Sequence, residues 1–429
     1  MVSYIGLIVL VIFLLLGVPI AFALAGAGIL GVWFLTGNLS TALGLVWTTP
    51  VSTVAQFVLT TIPMFILMAY FSSSSGLADD LFDTASAWLS HIRGGLAIAT
   101  VFACGIFGAM SGVSLAAASV MAKIAMPNMR RHGYSETLAA GAIGIGATLD
   151  ILIPPSVAMV VYGIMTETSI GKLLIAGVIP GIVLGILLSL AIIVWVTINP
   201  SHAPRVERRP WADRLKSLRR IWLSLSLILV VIGLLYTGIA TPTEIGAVGA
   251  FLAAMIGVFT RRLTWAGALD ALKGTVVTTA MIFMILIGGM LFGYYITISQ
   301  VPQQIIKLII EMNVNRYVVM VGIILGYFVI SMFMDEVALM LITLQLTFPL
   351  IILLKFDPIW YGVITMMMIA MGLVFPPVGV IAFVISATAK VDLVKVYKGT
   401  SILMIAIVIT TVLLFFFPEI VLWLPSTMH

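Results

Sequence analysis

The sequence predicts an all-α polytopic membrane protein, because it is apolar overall and its apolar runs are long. Of its 429 residues, 62% are hydrophobic and 9% are charged, and no Asp, Glu, Lys or Arg precedes Asp79. The run from Tyr4 to Leu35 exceeds the roughly 20 apolar residues with which a helix crosses a bilayer. Because these runs are apolar all round and do not alternate, an outer-membrane barrel is not expected.

The elements follow from the apolar runs taken in chain order. We expect single crossings at about 4–35, 45–71, 173–198, 221–240, 243–260, 275–298 and 400–424, and interrupted crossings at about 137–165 and 359–388. Segments 94–129 and 317–354 are too long for one crossing and short for two, which favours re-entrant hairpins. Asp79 to His91 and Arg262 to Lys273 are amphipathic and are expected to lie at the membrane surface.

The basic residues predict the orientation of the chain. If neither hairpin changes sides, 17 of the 21 Lys and Arg fall on one side, including seven from Arg205 to Arg220. Four fall on the other side: Lys172, Lys307, Arg316 and Lys355. The positive-inside rule makes the first side cytoplasmic. The N-terminus is therefore expected in the cytoplasm and the C-terminus in the periplasm.

The order of elements predicts two halves related as an inverted repeat. Segments 1–198 and 241–429 each contain crossings, a hairpin and an interrupted crossing, and the basic loop and crossing at 199–240 would invert the second half. Residues about 222 positions apart match: Pro19 with Pro242, Gly26 with Gly249, and Pro154-Pro155 with Pro376-Pro377. Such repeats commonly place solute and ion sites near the bilayer midplane.

Each Pro-Pro break predicts a binding element. Proline lacks a backbone donor and disfavours helix in the residue before it, so carbonyls near Pro154 and Pro376 lose their helical partners. The C-terminus of a half-helix carries partial negative charge that suits sodium, and an N-terminus suits an anionic solute group. The alternative is a proline kink that neighbouring helices repair.

The hairpin tips are expected to complete each site. Between Gly108 and Ser114, small residues accompany the hydroxyls of Ser111 and Ser114, which are hard oxygen ligands. Small residues serve helix packing equally well. At the second tip, Ser331 and Asp335 are four residues apart, a spacing that places both side chains on one face if the segment is helical. Asp335 and Glu336 are acids at membrane depth, where such residues are costly unless they are paired or functional.

Seven stretches, taken in order, resemble the large membrane subunit of tripartite ATP-independent periplasmic (TRAP) transporters, within the ion transporter superfamily. They are Gly17-Val-Pro19, Thr61-Ile-Pro-Met-Phe65, Gly108-Ala-Met-Ser-Gly112, Ile151-Leu-Ile-Pro-Pro-Ser156, Thr243-Glu-Ile-Gly-Ala-Val-Gly249, Met334-Asp-Glu-Val-Ala338 and Pro376-Pro-Val-Gly379. The resemblance implies an elevator with a scaffold and a transport domain, coupling to two or more sodium ions, and a place in the bacterial inner membrane. It also implies a four-helix small membrane subunit, a periplasmic substrate-binding protein and a small organic acid, either a carboxylate or a sugar acid.

The resemblance also implies site residues by position. The first sodium site would comprise Ser111, Gly112, Val113, Ser114, Asp150, Ile153 and Pro155. The second would comprise Ser331, Asp335, Phe375, Pro376 and Gly379. The solute would contact Ser114, Pro154, Ser156 and Pro377.

Four of these positions depart from the family pattern. Val113 stands where serine is usual, Asp150 and Ser331 where glycine is usual, and Phe375 where threonine is common. We hypothesise that Asp150 alters the coupling, either as a sodium ligand or as a titrating group. The alternative is a carboxylate directed into an aqueous cleft.

Other function classes have less support in the sequence. A stand-alone sodium symporter for dicarboxylates has the same superfamily fold but would need no binding protein. An enzyme is not expected, because Gly-x-Ser-x-Gly, His-Glu-x-x-His and a phosphate-binding loop are absent. A single cysteine, Cys104, provides no thiolate cluster for a metal. We expect no organic cofactor, and no nucleic acid partner because the basic residues lie beside membrane crossings.

Overall fold

A computed structural model describes residues 4–204, 206, 208–312 and 314–428. Within these ranges the chain forms 21 α-helices and no strand, which confirms the all-α prediction. Arg205, counted above with the basic loop, lies outside the described residues. The helices are α1 Ile5–Leu15, α2 Ile20–Thr36, α3 Leu39–Val54, α4 Thr61–Ser74, α5 Leu77–Leu89, α6 Gly95–Ser111, α7 Ser114–Arg131, α8 Glu136–Ala147, α9 Val157–Thr166, α10 Ile170–Ala176, α11 Val178–Ile198, α12 Trp211–Thr237, α13 Pro242–Phe259, α14 Trp265–Ser299, α15 Val301–Glu311, α16 Arg316–Ser331, α17 Glu336–Leu353, α18 Pro358–Gly372, α19 Val380–Ala389, α20 Leu393–Phe416 and α21 Glu419–Ser426.

Several helices have the length and composition of membrane crossings. Seven helical stretches among the described residues qualify: Phe57–Ser74, Ile170–Ile198, Trp211–Thr237, Pro242–Phe259, Trp265–Ser299, Glu336–Leu353 and Leu393–Phe416. Shorter apolar helices, among them α6 and α18, accompany them. The prediction of a multi-pass membrane protein is thus supported by the folded chain as well as by its composition.

Two predicted single crossings are wrong in detail. Segment 4–35 forms α1 and α2, because the chain turns at Gly17, which has φ of 75°, and restarts as helix after Pro19. Segment 45–71 is likewise divided between α3 and α4 by residues 55–60. Apolar length alone does not locate a turn that glycine and proline impose inside a run.

The prediction of a separate short helix at Arg262 to Lys273 is wrong. From Trp265 onwards it belongs to α14, a continuous helix of 35 residues. The amphipathic helix of the second half is α15, which follows α14 as α5 follows α4. In the first half, Asp79 to His91 does lie mainly in a helix, α5.

The helices of the two halves start at nearly constant separation. The starts of α6, α7, α8 and α9 precede those of α16, α17, α18 and α19 by 221 to 223 residues. The helix pairs α6–α7 and α16–α17 occupy the segments predicted as hairpins. The inverted orientation of the halves and the re-entrant course of the hairpins stay predictions.

Glycines let helices from different halves approach closely. A Cβ on Gly141 in α8 would lie 2.6 Å from the carbonyl carbon and oxygen of Gly399 in α20. A Cβ on Gly28 in α2 would lie 2.6 Å from the same atoms of Leu291 in α14. Without a strong hydrophobic drive between helices in lipid, such close packing is a main source of association. The α8–α20 contact holds the first Pro-Pro break beside the second half.

An ion-pair cluster joins the same elements at one end. Glu136 at the start of α8 accepts from Arg130 Nε at 3.0 Å and from Lys395 Nζ at 2.7 Å, and it forms an ion pair with each of them. The hydrogen bond from Lys395, together with Arg130, lowers the pKa of Glu136. Because these side chains are partly exposed, each pair contributes at most about 1 kcal/mol to stability. The cluster fixes the position of α20 relative to α7 and α8.

Candidate functional site

The first break separates α8 from α9. Helix α8 ends at Ala147, a 3₁₀ turn follows at Thr148–Ile151, and α9 begins at Val157. Pro154 and Pro155, joined by a cis peptide bond, occupy the gap and are buried. The Ser156 hydroxyl caps α9 by accepting from the Met159 amide at 3.4 Å. Proline's missing donor accounts for the interruption.

The tip between α6 and α7 lies directly against this break. Gly112 has φ of 61°, and its carbonyl accepts from the Val157 amide at 3.2 Å. A Cβ on Gly112 would lie 2.6 Å from the Pro155 carbonyl oxygen. Ser111, which ends α6, is buried, and its hydroxyl has no hydrogen-bond partner among the described residues. The structure therefore brings the tip and break residues of the first predicted sodium site together.

A serine hydroxyl connects two buried acids from opposite halves. Ser114 Oγ lies 2.8 Å from Asp150 Oδ1 and 3.2 Å from Glu336 Oε2. Asp150 is fully buried and Glu336 is 6% exposed. Asp150 Oδ2 is also buried, and no described residue forms a hydrogen bond with it. The alternative of Asp150 as a carboxylate in an aqueous cleft is therefore wrong.

No basic side chain neutralises this cluster within the described part of the chain. Four ion pairs occur there, namely Arg130–Glu136, Arg262–Asp80, Lys307–Glu311 and Lys395–Glu136. Burying a carboxylate is costly unless a positive charge or hydrogen bonds compensate it. Glu336 gains some compensation as the first residue of α17, where the helix dipole favours negative charge. The remaining charge fits a site that accepts a cation.

At the second tip, the helix that would place Ser331 and Asp335 on one face is interrupted. Helix α16 ends at Ser331, and Asp335 is the N-cap of α17, accepting from the Val337 amide at 3.1 Å. The Ser331 hydroxyl lies 2.9 Å from the Phe328 carbonyl and 3.3 Å from the Met368 carbonyl. Ser331 and Asp335 therefore do not share a helix face, because the helix stops between them. Their side chains have structural partners already.

At the second break, between α18 and α19, backbone carbonyls accept hydrogen bonds from side-chain hydroxyl groups. Tyr397 OH lies 2.6 Å from the Val378 carbonyl and 3.1 Å from that of Pro377, and Thr400 Oγ1 lies 2.9 Å from the Val374 carbonyl. Gly379, with φ of 55°, donates its amide to the Met332 carbonyl at the tip at 2.9 Å. The tip therefore contacts the break in this half as well. This break also contains a cis peptide bond, between Pro376 and Pro377.

The two breaks differ in which groups surround them. The positions 222 residues before Tyr397 and Thr400 are Ile175 and Val178, which carry no hydroxyl. Phe375 stacks on Phe328 with ring centroids 5.5 Å apart. Break carbonyls of the second half thus have protein donors, whereas the first break adjoins unpartnered Asp150 and Ser111 oxygens.

A cavity of about 490 Å³ adjoins the first tip. It lies between α4 and α14 on one side and the tip residues Ser111 and Val113 on the other. Hydroxyls of Tyr70, Ser73, Ser119 and Thr278 also line it, and none of its described lining residues is charged. A small polar solute fits such a volume.

The side chain of Ile153, another residue of the first predicted sodium site, packs between helices. Ile153 packs towards Gly105 and Gly181, so any role in an ion site would fall to its backbone. Sequence reasoning noted Glu336 as an acid but did not pair it with Ser114, and it missed Tyr397 and Thr400. The sequence does contain one indication of the Ser114–Glu336 contact. The two residues are 222 positions apart, so they occupy equivalent positions in the two repeats.

Comparison with known proteins gives consistent matches over nearly the whole chain. Residues 7–420 match the family described as tripartite ATP-independent periplasmic transporter, DctM component. The chain is 35% identical to the C4-dicarboxylate TRAP transporter large permease protein DctM of Pseudomonas aeruginosa, over 86% of this chain and 87% of that protein. It is 30% identical to the ectoine/5-hydroxyectoine TRAP transporter large permease protein UehC of Ruegeria pomeroyi, over 97% of this chain and 96% of that protein.

A solved structure shares the fold. The Alcanivorax borkumensis YdaH transporter aligns with a TM-score of 0.65 and 14% identity, over 88% of this chain and 89% of that chain. At this identity the likeness concerns the fold alone.

Replacing Gly112 with alanine tests the contact between tip and break. The added Cβ would meet the Pro155 carbonyl at 2.6 Å, and the φ of 61° strains any residue other than glycine. We expect solute uptake to fall at least about tenfold, as a small misplacement in a binding site can cost that much or more. Gly185→Ala, whose Cβ would meet nothing within 4 Å, is the control. Equal uptake by both variants would show that close tip–break contact is unnecessary.

Proposed function

The chain belongs to the DctM family of large membrane components of tripartite ATP-independent periplasmic transporters, and we propose that it couples uptake of a small organic acid to sodium. The observation that carries this proposal is the Ser114 hydroxyl, which joins Asp150 and Glu336 beside the first tip and break. In the full system, a four-helix membrane subunit and a periplasmic substrate-binding protein would work with this chain at the bacterial inner membrane. A transport role of this kind requires no enzyme activity and no organic cofactor.

Sodium is the co-transported cation in this proposal. Carboxylate, hydroxyl and backbone oxygens suit a hard cation, and Asp150, Ser114 and Ser111 supply them beside the Pro155 carbonyl. Glu336 would add a ligand from the second half. At the second break, the carbonyls near Pro377 keep one free lone pair each when Tyr397 and Thr400 donate to them, so a second ion would rely on backbone oxygens there.

Charge balance supports cation coupling for an anionic solute. The cavity at the first tip has no basic side chain among its described lining residues, and two buried carboxyl groups lie behind the tip. An organic anion entering such a place is repelled unless a cation arrives with it. Sodium bound at Asp150 and Ser114 would supply that charge. The proposed solute contacts Ser114, Pro154, Ser156 and Pro377 are not among the described lining residues of this cavity, so the solute would reach them only from its inner end.

The proposed movement is an elevator. Helices α1 to α4 and α12 to α14 would form the scaffold, and the two hairpins and broken helices would move against it. Helices α5 and α15 connect these parts at equivalent places in the two halves. Left-handed residues border them, Gly76 and Gly94 around α5 and Gln300 before α15, so the backbone turns sharply where the parts meet.

Uptake by proteoliposomes tests the proposed function. The complex of this chain with its small membrane subunit would be reconstituted and supplied with the binding protein loaded with a labelled organic acid. We expect accumulation only with an inward sodium gradient and with the binding protein present. Uptake by this chain alone would favour the stand-alone symporter of the same superfamily, and sodium-independent uptake would contradict the coupling.

Asp150→Asn tests the first sodium ligand. Losing the charge should raise the sodium concentration for half-maximal uptake about 10- to 100-fold, as expected for one charged hydrogen-bonding partner. The binding of the loaded substrate-binding protein should not change. Asp270→Asn, at an exposed position on α14, is the control. Unchanged sodium and pH dependence in the Asp150 variant would refute its role in coupling.

A double-mutant cycle tests whether Glu336 belongs to the same site. We expect Glu336→Gln to weaken sodium dependence as Asp150→Asn does, and the two effects to be non-additive by about 0.5 kcal/mol or more, since residues of one network couple. Sodium-induced thermal stabilisation of the purified complex provides a readout independent of transport. Additive effects would place Glu336 outside the ion site.

A further inference from the structure

A second cavity lies away from the proposed transport site. It has a volume of about 760 Å³ and is formed by the beginnings of α16 and α18 and the ends of α17 and α20. These are the base of the second hairpin and the adjoining helix ends. None of the residues assigned to sodium or solute lines it.

Two basic side chains lie at this cavity without an ion-pair partner in the described part of the chain. They are Arg316 and Lys355, and neither takes part in the four ion pairs found there. The Arg316 guanidinium lies over the rings of Tyr317 and Phe356, at 4.9 and 5.3 Å from their centroids. Its Nη2 also donates to the Tyr317 hydroxyl at 3.0 Å. The stacking and this hydrogen bond hold the guanidinium in place and leave its other N–H groups for an anion.

The one acid at the cavity is engaged elsewhere. Asp357 Oδ1 accepts from the amides of Ile359 and Trp360 at 2.8 and 3.0 Å, as the N-cap of α18. Its carboxylate is therefore held at the helix start. The cavity keeps a net positive character from Arg316 and Lys355.

Part of the cavity wall is apolar and exposed. Val318 is 62% exposed and Phe416 is 70% exposed, and both line the cavity. A ligand that fills the space must therefore carry an anionic group and a long apolar portion. Inorganic phosphate or an acidic peptide would satisfy the basic residues but leave this wall uncovered.

The position in the membrane agrees with such a ligand. Arg316 and Lys355 are two of the only four basic residues predicted to lie opposite the cytoplasm. Tyr317 and Trp360 beside them are aromatic residues of the type that lie at the level of lipid headgroups. Basic pockets between helices at that level bind phospholipid headgroups.

We propose that this cavity binds an anionic phospholipid of the outer leaflet. Its phosphate would contact Arg316 and Lys355, and an acyl chain would lie along Val318 and Phe416. The bound lipid would join the base of the second hairpin to α18 and α20. This site is separate from the sodium and solute site, so it does not depend on the proposed transport function.

Thermal unfolding of the delipidated full-length protein in detergent tests the proposal. Phosphatidylglycerol should raise the unfolding midpoint, whereas phosphatidylcholine and inorganic phosphate should not. With Arg316→Gln and Lys355→Gln combined, the phosphatidylglycerol concentration for half the effect should rise about 20- to 30-fold, from the usual contribution of two basic residues. Lys172→Gln with Lys307→Gln, an equal loss of charge on the same predicted side, should leave it unchanged.

Three results would overturn the proposal. They are a wild-type midpoint unaffected by phosphatidylglycerol, an equal response to inorganic phosphate, and equal weakening in the control double variant. Phe416→Ser provides a second approach if the basic variants fold poorly. It should weaken the response to phosphatidylglycerol while both basic residues remain, and an unchanged response would exclude the acyl-chain contact.

Discussion

The rest of this structure depends on how backbone groups are satisfied where helices stop at membrane depth. Water does not compensate an interrupted helix there, so each break needs a partner from the protein or from a bound ion. In both halves the partner is the facing hairpin tip: the Val157 amide donates to Gly112, and the Gly379 amide donates to Met332. The tips are therefore held by hydrogen bonds to the breaks, and small residues at the tips permit that approach.

The two halves meet the same requirement with different chemistry. In the second half, Tyr397 and Thr400 supply hydroxyl donors to the break carbonyls. In the first half, the corresponding positions are apolar, and the buried groups nearby are the oxygens of Ser111 and Asp150. An ion would thus contribute more at the first break than at the second. A two-fold sequence repeat does not require two equivalent sites, and in this chain the sites have diverged.

Sequence patterns located the larger features well and the internal turns poorly. The predicted segments 94–129 and 317–354 lie within two residues of the bounds of α6–α7 and α16–α17. Their ends are predictable because a long apolar stretch with small residues at its centre forms two helices joined by a short turn. The crossing at 4–35 was misjudged, since hydropathy does not register a turn at Gly17. Segment 262–273 was misjudged because a polar start does not prevent a helix from continuing into α14. The spacing of Ser331 and Asp335 gives a shared helix face only if the segment is helical, and the helix stops between them.

By itself, the sequence determined the membrane class, the repeat offset and the family, since these depend on composition and on motifs that are local in the chain. It also identified Asp150 and Glu336 as acids in unusual places. Only the tertiary structure decided that both meet at Ser114 Oγ, and that Ser331 and Asp335 are already engaged. The reason is physical: a hydrogen bond between residues 222 positions apart depends on how α7, α17 and the 3₁₀ turn pack. Local patterns specify each of these elements but not the contact between them.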